Sequence, residues 1–479
     1  MTATPDRLST GSGLFRRKPV DDITDETRTD LHRSLGLFQL TAIGVGGIIG
    51  AGIFITPHIV AAQLDTPGLV LGAWVAGGLI ALAGAFSYAE LGAIFPKAGG
   101  QYVYLRDGLH PLAGFLYGWA LLLVIESGAI AAVAITFATY ALRVVRGPEA
   151  AQVPLAIGAL VILSAVNYVG VKPGSRVLNV LVVLKVTALA VLVGAGFLAA
   201  AHPGWFADIR PTSATAPATA VAFGAALVPI LFSYGGWQSA NYVGEEIENP
   251  KRNLPLALIA GTVAVVIIYL TVNVVYLRAL GLEGLAQSVA PAADAARRMF
   301  GPAGDLFVSG AIAISTFGFL DLSILAPTRV YYAMAADGLF VPALARLHPR
   351  YGTPGAAIIV QSTWSCLLAL TGTYEQLTNY VVFADWIFFG LTVITVLTLR
   401  RKVPLSSRPK DAFRAPGYPV VQVLFSTIAA AVVLSVIRAA PSAAAKGAAL
   451  IALGIPVYFW YAARTTTRSG QRRVDSVPR

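Results

Sequence analysis

Residues 44–54 read Gly-Val-Gly-Gly-Ile-Ile-Gly-Ala-Gly-Ile-Phe and lie inside an apolar segment that runs from about residue 35 to residue 62. A helix of roughly 20 apolar residues is long enough to cross a bilayer. Each interior glycine costs a helix about 1 kcal/mol relative to alanine, and five glycines within nine residues therefore predict a break. Backbone groups freed inside a membrane need partners in the protein or in a wet cavity. Close helix packing through small residues is the alternative explanation of the same glycines.

The composition is that of an integral membrane protein. Of the 479 residues, 56% are hydrophobic and 12% are charged, and the mean hydropathy is +0.70. The net charge of +11 is explained by membrane topology rather than by nucleic acid, because the basic residues lie mostly in loops between apolar runs. One cysteine, Cys366, and five scattered histidines give no disulfide framework and no metal-ligand spacing. We therefore expect no catalytic residues, no metal and no cofactor.

Twelve apolar runs are expected to be membrane spans, at about 36–62, 68–95, 111–142, 152–171, 177–200, 218–244, 254–280, 305–333, 355–371, 376–399, 418–438 and 446–463. Longer loops are expected at 201–217 and 281–304. The chain then divides into a disordered N-terminal tail (1–34), a first repeat of five spans (35–200), a second repeat (201–400), two further spans (401–465) and a polar C-terminal tail (466–479).

The distribution of basic residues predicts the orientation. With the N-terminus in the cytoplasm, the cytoplasmic segments hold 25 Lys and Arg residues, the outer loops with the adjoining span ends hold 8, and 2 others fall within spans. Cytoplasmic loops carry the excess of positive charge in membrane proteins. We therefore expect a multi-pass protein of the plasma membrane with both termini in the cytoplasm, and no cleavable signal peptide.

A second interruption is expected in the sixth run, where residues 232–238 read Phe-Ser-Tyr-Gly-Gly-Trp-Gln and Pro229 stands one turn earlier. If the chain consists of two halves of five spans, the first and sixth runs correspond. Matching breaks in two halves point to a transporter site near the membrane midplane. Half-helix N-termini offer N–H groups to an anion, and half-helix C-termini offer carbonyls to a cation. The two breaks together suit a zwitterion such as an amino acid.

Four motifs stand out along the chain. They are Gly-Ile-Ile-Gly-Ala-Gly-Ile-Phe at 47–54, Tyr-Ala-Glu-Leu-Gly…Phe-Pro-Lys-Ala-Gly-Gly-Gln-Tyr-Val-Tyr at 88–104, Ser-Arg-Val-Leu-Asn-Val-Leu-Val-Val-Leu-Lys at 175–185, and Phe-Ser-Tyr-Gly-Gly-Trp…Glu-Glu-Ile-Glu-Asn-Pro-Lys-Arg-Asn-Leu-Pro at 232–255. With these motifs the chain resembles the amino acid–polyamine–organocation superfamily of permeases, and within it the L-type amino acid transporter branch. The resemblance covers about residues 35–465. It implies an all-α membrane protein of the leucine-transporter type, with twelve transmembrane helices in a five-plus-five inverted repeat and discontinuous helices 1 and 6.

The resemblance also implies a substrate site built mainly from backbone groups. The substrate carboxylate would meet the N–H groups of Ala51 and Gly52, with Ile53 as a further candidate. The amino group would meet carbonyls, and these map to Ile48, Phe232 and Gly235. Phe232 also matches an aromatic that closes over the substrate; a plain core aromatic is the alternative.

Three ionisable residues lie well inside predicted spans, where a charge costs at least about 2.5–3.5 kcal/mol on insertion scales. By resemblance, Lys185 takes the place of a sodium ion and tethers the fifth span to the first break, so we expect sodium independence. Whether it braces the bundle or carries a proton stays open. The L-type branch has a carboxylate at the position that matches Glu126. Asp385 stands where L-type relatives usually have Asn, and it would titrate, favour a cationic side chain, or be a wet, hydrogen-bonded residue.

Charged residues at the predicted cytoplasmic ends are expected to form an ion-pair network that latches the inner gate, and these are Glu90, Glu245, Glu246, Lys251, Arg252 and Arg329. For Lys251 a solvated loop is the alternative. The outer loop at 143–153 lacks the cysteine by which heteromeric members of the family bind a heavy subunit, so we expect no disulfide-linked partner.

The predicted function is amino acid transport by alternating access, driven by proton symport or by exchange. The expected partners are an amino acid, the lipid bilayer and, for symport, protons. An amine or polyamine permease and a non-transporting amino acid sensor are the alternatives.

Overall fold

The computed structural model describes residues 33, 35–97, 99–169, 174–199, 201–207, 216–371, 374–402 and 412–474. The predicted N-terminal tail apart from Arg33, and the last five residues of the predicted C-terminal tail, lie outside the described residues. Within these ranges the chain forms no β-strand; one isolated bridge pairs Leu35 with Ile247. The α-helices are α1 (Leu37–Ile48), α2 (Gly52–Gln63), α3 (Pro67–Ile94), α4 (Gln101–Gly108), α5 (Pro111–Ala120), α6 (Glu126–Val145), α7 (Gln152–Val169), α8 (Gly174–Leu198), α9 (Ala216–Ser233), α10 (Pro250–Gln287), α11 (Pro291–Leu325), α12 (Thr328–Ala336), α13 (Gly355–Thr371), α14 (Tyr374–Lys402), α15 (Val420–Ala439) and α16 (Pro441–Val474).

Five short segments complete the helical structure of the described residues, and two of them are the 3-10 turns Glu149–Ala151 and Pro342–Ala345. A π-helical turn, Leu121–Ile125, joins α5 to α6, and two 3-10 segments, Trp237–Tyr242 and Gly244–Glu246, follow α9.

Local signals define where several helices begin. Proline suits the first helical position, because the N–H it lacks would have no partner there. The helices that begin at a proline are those starting at residues 67, 111, 250, 291 and 441. Two of them also have a side-chain cap: Thr66 Oγ1 accepts from Leu69 N at 3.2 Å, and His110 Nδ1 accepts from Leu112 N at 3.1 Å.

Many helices of the described chain are long and apolar enough to cross a membrane. Eight pass this test by themselves, and α1 with α2 form a ninth, bent by 40°. Three shorter apolar helices cover 182–198, 218–233 and 355–371. Large apolar side chains are exposed on outward faces, such as Leu79 at 62% and Leu424 at 57%, as expected of a surface in contact with lipid. The prediction of an all-helical membrane protein is confirmed, and each predicted run falls on one of these helices.

The prediction of a loop at 281–304 is wrong. α10 continues past a kink at Gly281 (φ 71°) to Gln287, and α11 begins at Pro291 and kinks at Gly301 (φ 69°). This region is weakly hydrophobic in sequence, but its alanines are buried against the bundle, at positions 292, 293, 295 and 296. Tertiary burial therefore makes helix where hydropathy indicated a loop. α16 likewise extends beyond the predicted end of the last span, to Val474.

Long helices surround the two interrupted ones. α10 packs against α3 and against both halves of the first span, while α11 packs against α6 and α8, and α14 packs against α6 and α15. An aromatic cluster holds the second break in place. Trp74 on α3 makes edge contacts with Tyr234 and Tyr269, with ring centroids 5.7 Å and 5.6 Å away. These contacts hold the second break against α3.

Candidate functional site

The first break is a short non-helical connection between α1 and α2. Ile49 leaves the helical conformation (ψ 80°), and α2 starts again at Gly52 without a side-chain cap. Within the described residues, the N–H groups of Ala51, Gly52 and Ile53 have no acceptor. The first N–H groups of a helix carry the positive end of its dipole. This end of α2 can therefore receive an anion.

The second break follows α9. Gly236 has φ 102°, a left-handed conformation that favours glycine, and its N–H donates to Gln238 Oε1 at 3.0 Å. The chain then continues as the 3-10 segment Trp237–Tyr242 rather than as a second α-helix. The predicted interruption is present, and its second half is shorter and more tightly wound than a regular half-helix.

The two breaks touch each other through backbone. A Cβ atom added at Gly47 would lie 2.9 Å from the carbonyl oxygen of Gly236, and one added at Gly52 would lie 2.6 Å from Cα of Ser233. No real Cβ contact is that short, so these glycines permit the approach. The close-packing explanation and the break explanation of the glycine-rich stretch are therefore both correct, at different positions of the same segment.

One tyrosine hydroxyl connects the two breaks. Tyr269 on α10 lies with its hydroxyl 2.9 Å from the carbonyl oxygen of Ile48 and 3.1 Å from that of Ser233. The Ile48 carbonyl also accepts from Gly50 N at 2.8 Å. A carbonyl has two lone pairs. Both acceptor positions of Ile48 are therefore already used in this conformation.

A cavity lies against both breaks. Of the predicted substrate-binding residues, Ile48, Ala51, Gly52, Phe232 and Gly235 line it. Ile53 does not line it, and its side chain is fully buried in the core. Much of the remaining wall comes from α6, α11 and α14.

Lys185 lies beside the first break and outside that cavity. Its ammonium donates to the carbonyl of Ile49 at 2.6 Å and lies 3.4 Å from that of Gly46, and the residue is 4% exposed. Both carbonyls stand at the end of α1, where the helix dipole is negative. The lysine thus joins α8 to backbone groups that the break has released.

Glu126 lines the cavity directly after the π-helical turn. The wide turn releases carbonyls, and these find other donors: Ser127 Oγ donates to Leu122 O at 2.6 Å, and Trp364 Nε1 donates to Leu123 O at 2.7 Å. Such π-bulges occur frequently at functional sites. Here the turn directs Glu126 toward the cavity, within hydrogen-bonding reach of Ser323.

Asp385 on α14 also lines the cavity. It is 8% exposed, and its Oδ1 atom has no hydrogen-bond partner among the described residues. The three interpretations of this residue stay predictions.

At the predicted cytoplasmic end, three of the six residues expected to form one network take part in two separate ion pairs. Arg329 Nε donates to Glu246 Oε1 at 3.2 Å. Glu90, 2% exposed, accepts from Arg400 at 2.5 Å and 2.8 Å and from the N–H of Ala415 at 2.9 Å. Arg400 was not among the predicted residues, and no ion pair of the described chain includes Glu245, Lys251 or Arg252.

A third ion pair at this end lies outside the spans. Arg106 on α4 donates to Asp337, which follows α12, and to Asp107 at 2.6 Å. Burial lowers the pKa of the Arg106 guanidinium, but the hydrogen bonds to Asp107 and the charge of Asp337 raise this pKa further, and the net pKa lies above its ordinary value. Arg106 therefore stays charged throughout the physiological range.

Sequence reasoning missed Tyr269, Arg400 and Arg106. Tyr269 is a polar side chain in an apolar span, which is a usable signal of a buried hydrogen bond. The sequence around Arg400 and Arg106 gives no comparable indication of their partners, since each resembles an ordinary basic residue near the end of a span.

Comparisons with known proteins cover nearly the whole chain. The sequence model of a family described as amino acid permease matches residues 35–461. Large neutral amino acids transporter small subunit 2 of Mus musculus is 32% identical over 436 residues, which are 90% of this chain and 81% of that protein. The b(0,+)-type amino acid transporter 1 of Homo sapiens is 32% identical over 418 residues, 86% of this chain and 84% of that protein. Asc-type amino acid transporter 1 of Mus musculus is 32% identical over 439 residues, 90% and 82% of the two chains. All three are named as transporters, and none as an enzyme.

Proposed function

The chain belongs to the amino acid permease family, and from this premise we propose that it carries amino acids across the plasma membrane by alternating access. The observation that carries the proposal is the contact between the two broken helices at a shared cavity. Free N–H groups at the start of α2 suit the substrate carboxylate. The carbonyls of Phe232 and Gly235 suit its amino group, while Ile48 would first have to release the Tyr269 hydroxyl.

The proposed architecture is the twelve-helix, five-plus-five inverted repeat of the leucine-transporter type, with residues 35–200 and 201–400 as the two repeats and 401–465 as added helices. Nine membrane-capable helices, counting the bent pair once, and three shorter apolar ones within the described residues support that count. The excess of basic residues in alternate loops supports cytoplasmic termini.

Transport is proposed to be independent of sodium. The ammonium of Lys185, 2.6 Å from the carbonyl of Ile49, already supplies a cation to the backbone that the break exposes. Coupling is proposed to be proton symport or substrate exchange. In symport, the groups that could bind the transported proton are Lys185, Glu126 and Asp385.

The ion pairs at the predicted cytoplasmic end support an inner gate. Glu90–Arg400 joins α3 to α14, and Glu246–Arg329 joins the segment after α9 to α12. Rocking of the first, second, sixth and seventh spans against the others would separate both pairs. The relative named as a small subunit does not by itself assign a heavy subunit to this chain, and we propose that none is linked here by a disulfide, because the segment 143–153 contains no cysteine.

Uptake by proteoliposomes tests the proposal. One set of vesicles has an inward proton gradient and an empty lumen; the other has unlabelled amino acid inside and no gradient. Labelled amino acid should accumulate in the first set if the protein is a symporter and in the second if it is an exchanger, in sodium-free buffer in both cases. Binding without flux in either set would overturn the permease and favour the sensor.

A further inference from the structure

The cavity has two chemically different walls. The broken helices supply backbone N–H and C=O groups, which recognise the part that all amino acids share. The wall from α6, α11 and α14 supplies side chains instead. This second wall must contact what differs among amino acids, the side chain of the substrate.

Glu126 and Asp385 give the second wall its charge. Among the described residues that line the cavity, these two are acidic and none is Lys, Arg or His. Glu126 reaches this cavity from α6 and Asp385 reaches it from α14. The nearby cation does not compensate them, because the Lys185 ammonium is turned toward Ile49 and Lys185 does not line the cavity.

Asp385 has an acceptor atom that the protein leaves without a donor. Its Oδ1 is buried and has no partner among the described residues. The phenol hydroxyls of Tyr117 and Tyr242 bond to each other at 2.8 Å, and neither donates to Asp385 Oδ1. Glu126, in contrast, lies within reach of Ser323. A buried acceptor without a donor destabilises the protein, and a ligand that donates N–H to it removes this penalty.

We propose that Asp385, with Glu126 beside it, makes the cavity prefer amino acids whose side chain carries a positive charge. The inference rests on the proposed function, since it assigns the substrate class of the same cavity. A side-chain ammonium or guanidinium donates to Asp385 Oδ1 in a charge-assisted hydrogen bond and opposes the charge of both carboxylates. An aliphatic side chain of equal length leaves the acceptor unpaired, and a site built for a donor rejects such an analogue strongly.

The test compares labelled L-lysine with labelled L-norleucine, which has nearly the same aliphatic chain and no ammonium. The ratio of kcat/KM for lysine to that for norleucine is measured in proteoliposomes for the wild type, Asp385→Asn and Glu126→Gln. We expect a wild-type ratio of at least about 10 and a fall of at least about tenfold in Asp385→Asn, because the charge-assisted bond is lost. Glu126→Gln removes the same charge from the second carboxyl of the wall, which does not have the unpartnered buried acceptor of Asp385, and should lower the ratio less.

A wild-type ratio below one would overturn the inference, whatever the variants do. An unchanged ratio in the Asp385→Asn variant would also overturn it, provided that the variant elutes as a folded protein. Loss of proton-driven norleucine uptake in that variant would assign Asp385 to proton binding instead. Thermal stabilisation of the wild type by each amino acid separates the two proposals. Stabilisation by lysine beyond that by norleucine, without flux of either, would contradict the proposed transport and still support the preference.

Discussion

Lys185 shows how a single buried charge is accommodated at a helix break. Two carbonyl oxygens at the end of α1 face its ammonium, at 2.6 Å for Ile49 and 3.4 Å for Gly46. The negative end of the α1 dipole adds to their attraction. The break leaves these carbonyls without helical donors, and the lysine donates hydrogen bonds to them. The buried charge and the unpaired carbonyls would each destabilise the protein alone, and together each removes the free-energy cost of the other.

Lys185→Met should lower both thermal stability and uptake. The substitution keeps the length of the side chain but leaves the Ile49 carbonyl without its donor, which costs about 1–3 kcal/mol. Thermal unfolding in detergent and uptake under the two gradients measure the effects. Lys446→Met, on an exposed part of α16, is the matched control and should behave as the wild type.

The same variant separates the two roles that the sequence leaves open for Lys185. A bracing lysine predicts that proton-driven uptake and exchange fall together. A proton carrier predicts that exchange survives while proton-driven uptake is lost. Wild-type stability and uptake in both assays would contradict either role.

At the scale of elements, the site depends on how two interrupted helices contact each other. Gly52 allows the start of α2 to pack directly on Ser233 at the end of α9, since a Cβ atom there would lie 2.6 Å from Cα and Cβ of Ser233. Tyr269 on α10 then bonds to carbonyls from both helices. The cavity is therefore shaped by α10 as well as by the breaks themselves.

Tyr269→Phe should weaken this connection. Loss of the hydroxyl leaves the carbonyls of Ile48 and Ser233 with one donor fewer, which is expected to lower the free energy of unfolding by about 1 kcal/mol and to reduce uptake several-fold. Tyr276→Phe is the control on the same helix, because the Tyr276 hydroxyl is buried and has no partner among the described residues. Thermal unfolding and uptake that are equal for the two variants would show that the shared hydroxyl does not connect the breaks.

At the scale of the whole molecule, ion pairs join helices that alternating access would separate. Glu90 on α3 is almost fully buried and binds both Arg400 and the backbone of Ala415. The ion pair with Arg400 forms only while α3 and α14 stay together. The pair therefore favours the closed arrangement at the predicted cytoplasmic end.

Arg400→Gln should destabilise the protein and open this end. Removing one partner of a buried ion pair costs about 3–5 kcal/mol, and here Glu90 loses the two hydrogen bonds that Arg400 donates to it. In a Cys366→Ser background, a cysteine replaces Ser239, which lines the cavity. With Arg400→Gln this cysteine should react faster with a thiol reagent applied from the cytoplasmic side than it does when Arg400 is present. Arg401→Gln, the neighbouring exposed arginine, should leave labelling and stability as they are.

A double variant provides the further check. Glu90→Gln together with Arg400→Gln removes both charges and should recover part of the stability lost in Arg400→Gln alone. A double variant no more stable than Arg400→Gln would mean that the two side chains act independently.

The sequence by itself determined the class of protein, the apolar runs and both helix breaks. These features are local: hydropathy over about 20 residues decides whether a helix can cross lipid, and glycine or proline within it decides where it stops. The placement of Lys185 next to the first break followed only from resemblance to a family.

Tertiary structure decided which groups meet. Glu90 and Arg400 are 310 residues apart in the chain, and nothing in either neighbourhood identifies the other. The helix at 291–300 forms although its sequence is weakly apolar, because its alanines are buried by the bundle. Asp385 and Glu126 lie on different helices, and their common cavity exists only once α6 and α14 pack together. Local chemistry thus predicts elements, whereas the partners of a side chain depend on how the elements are assembled in space.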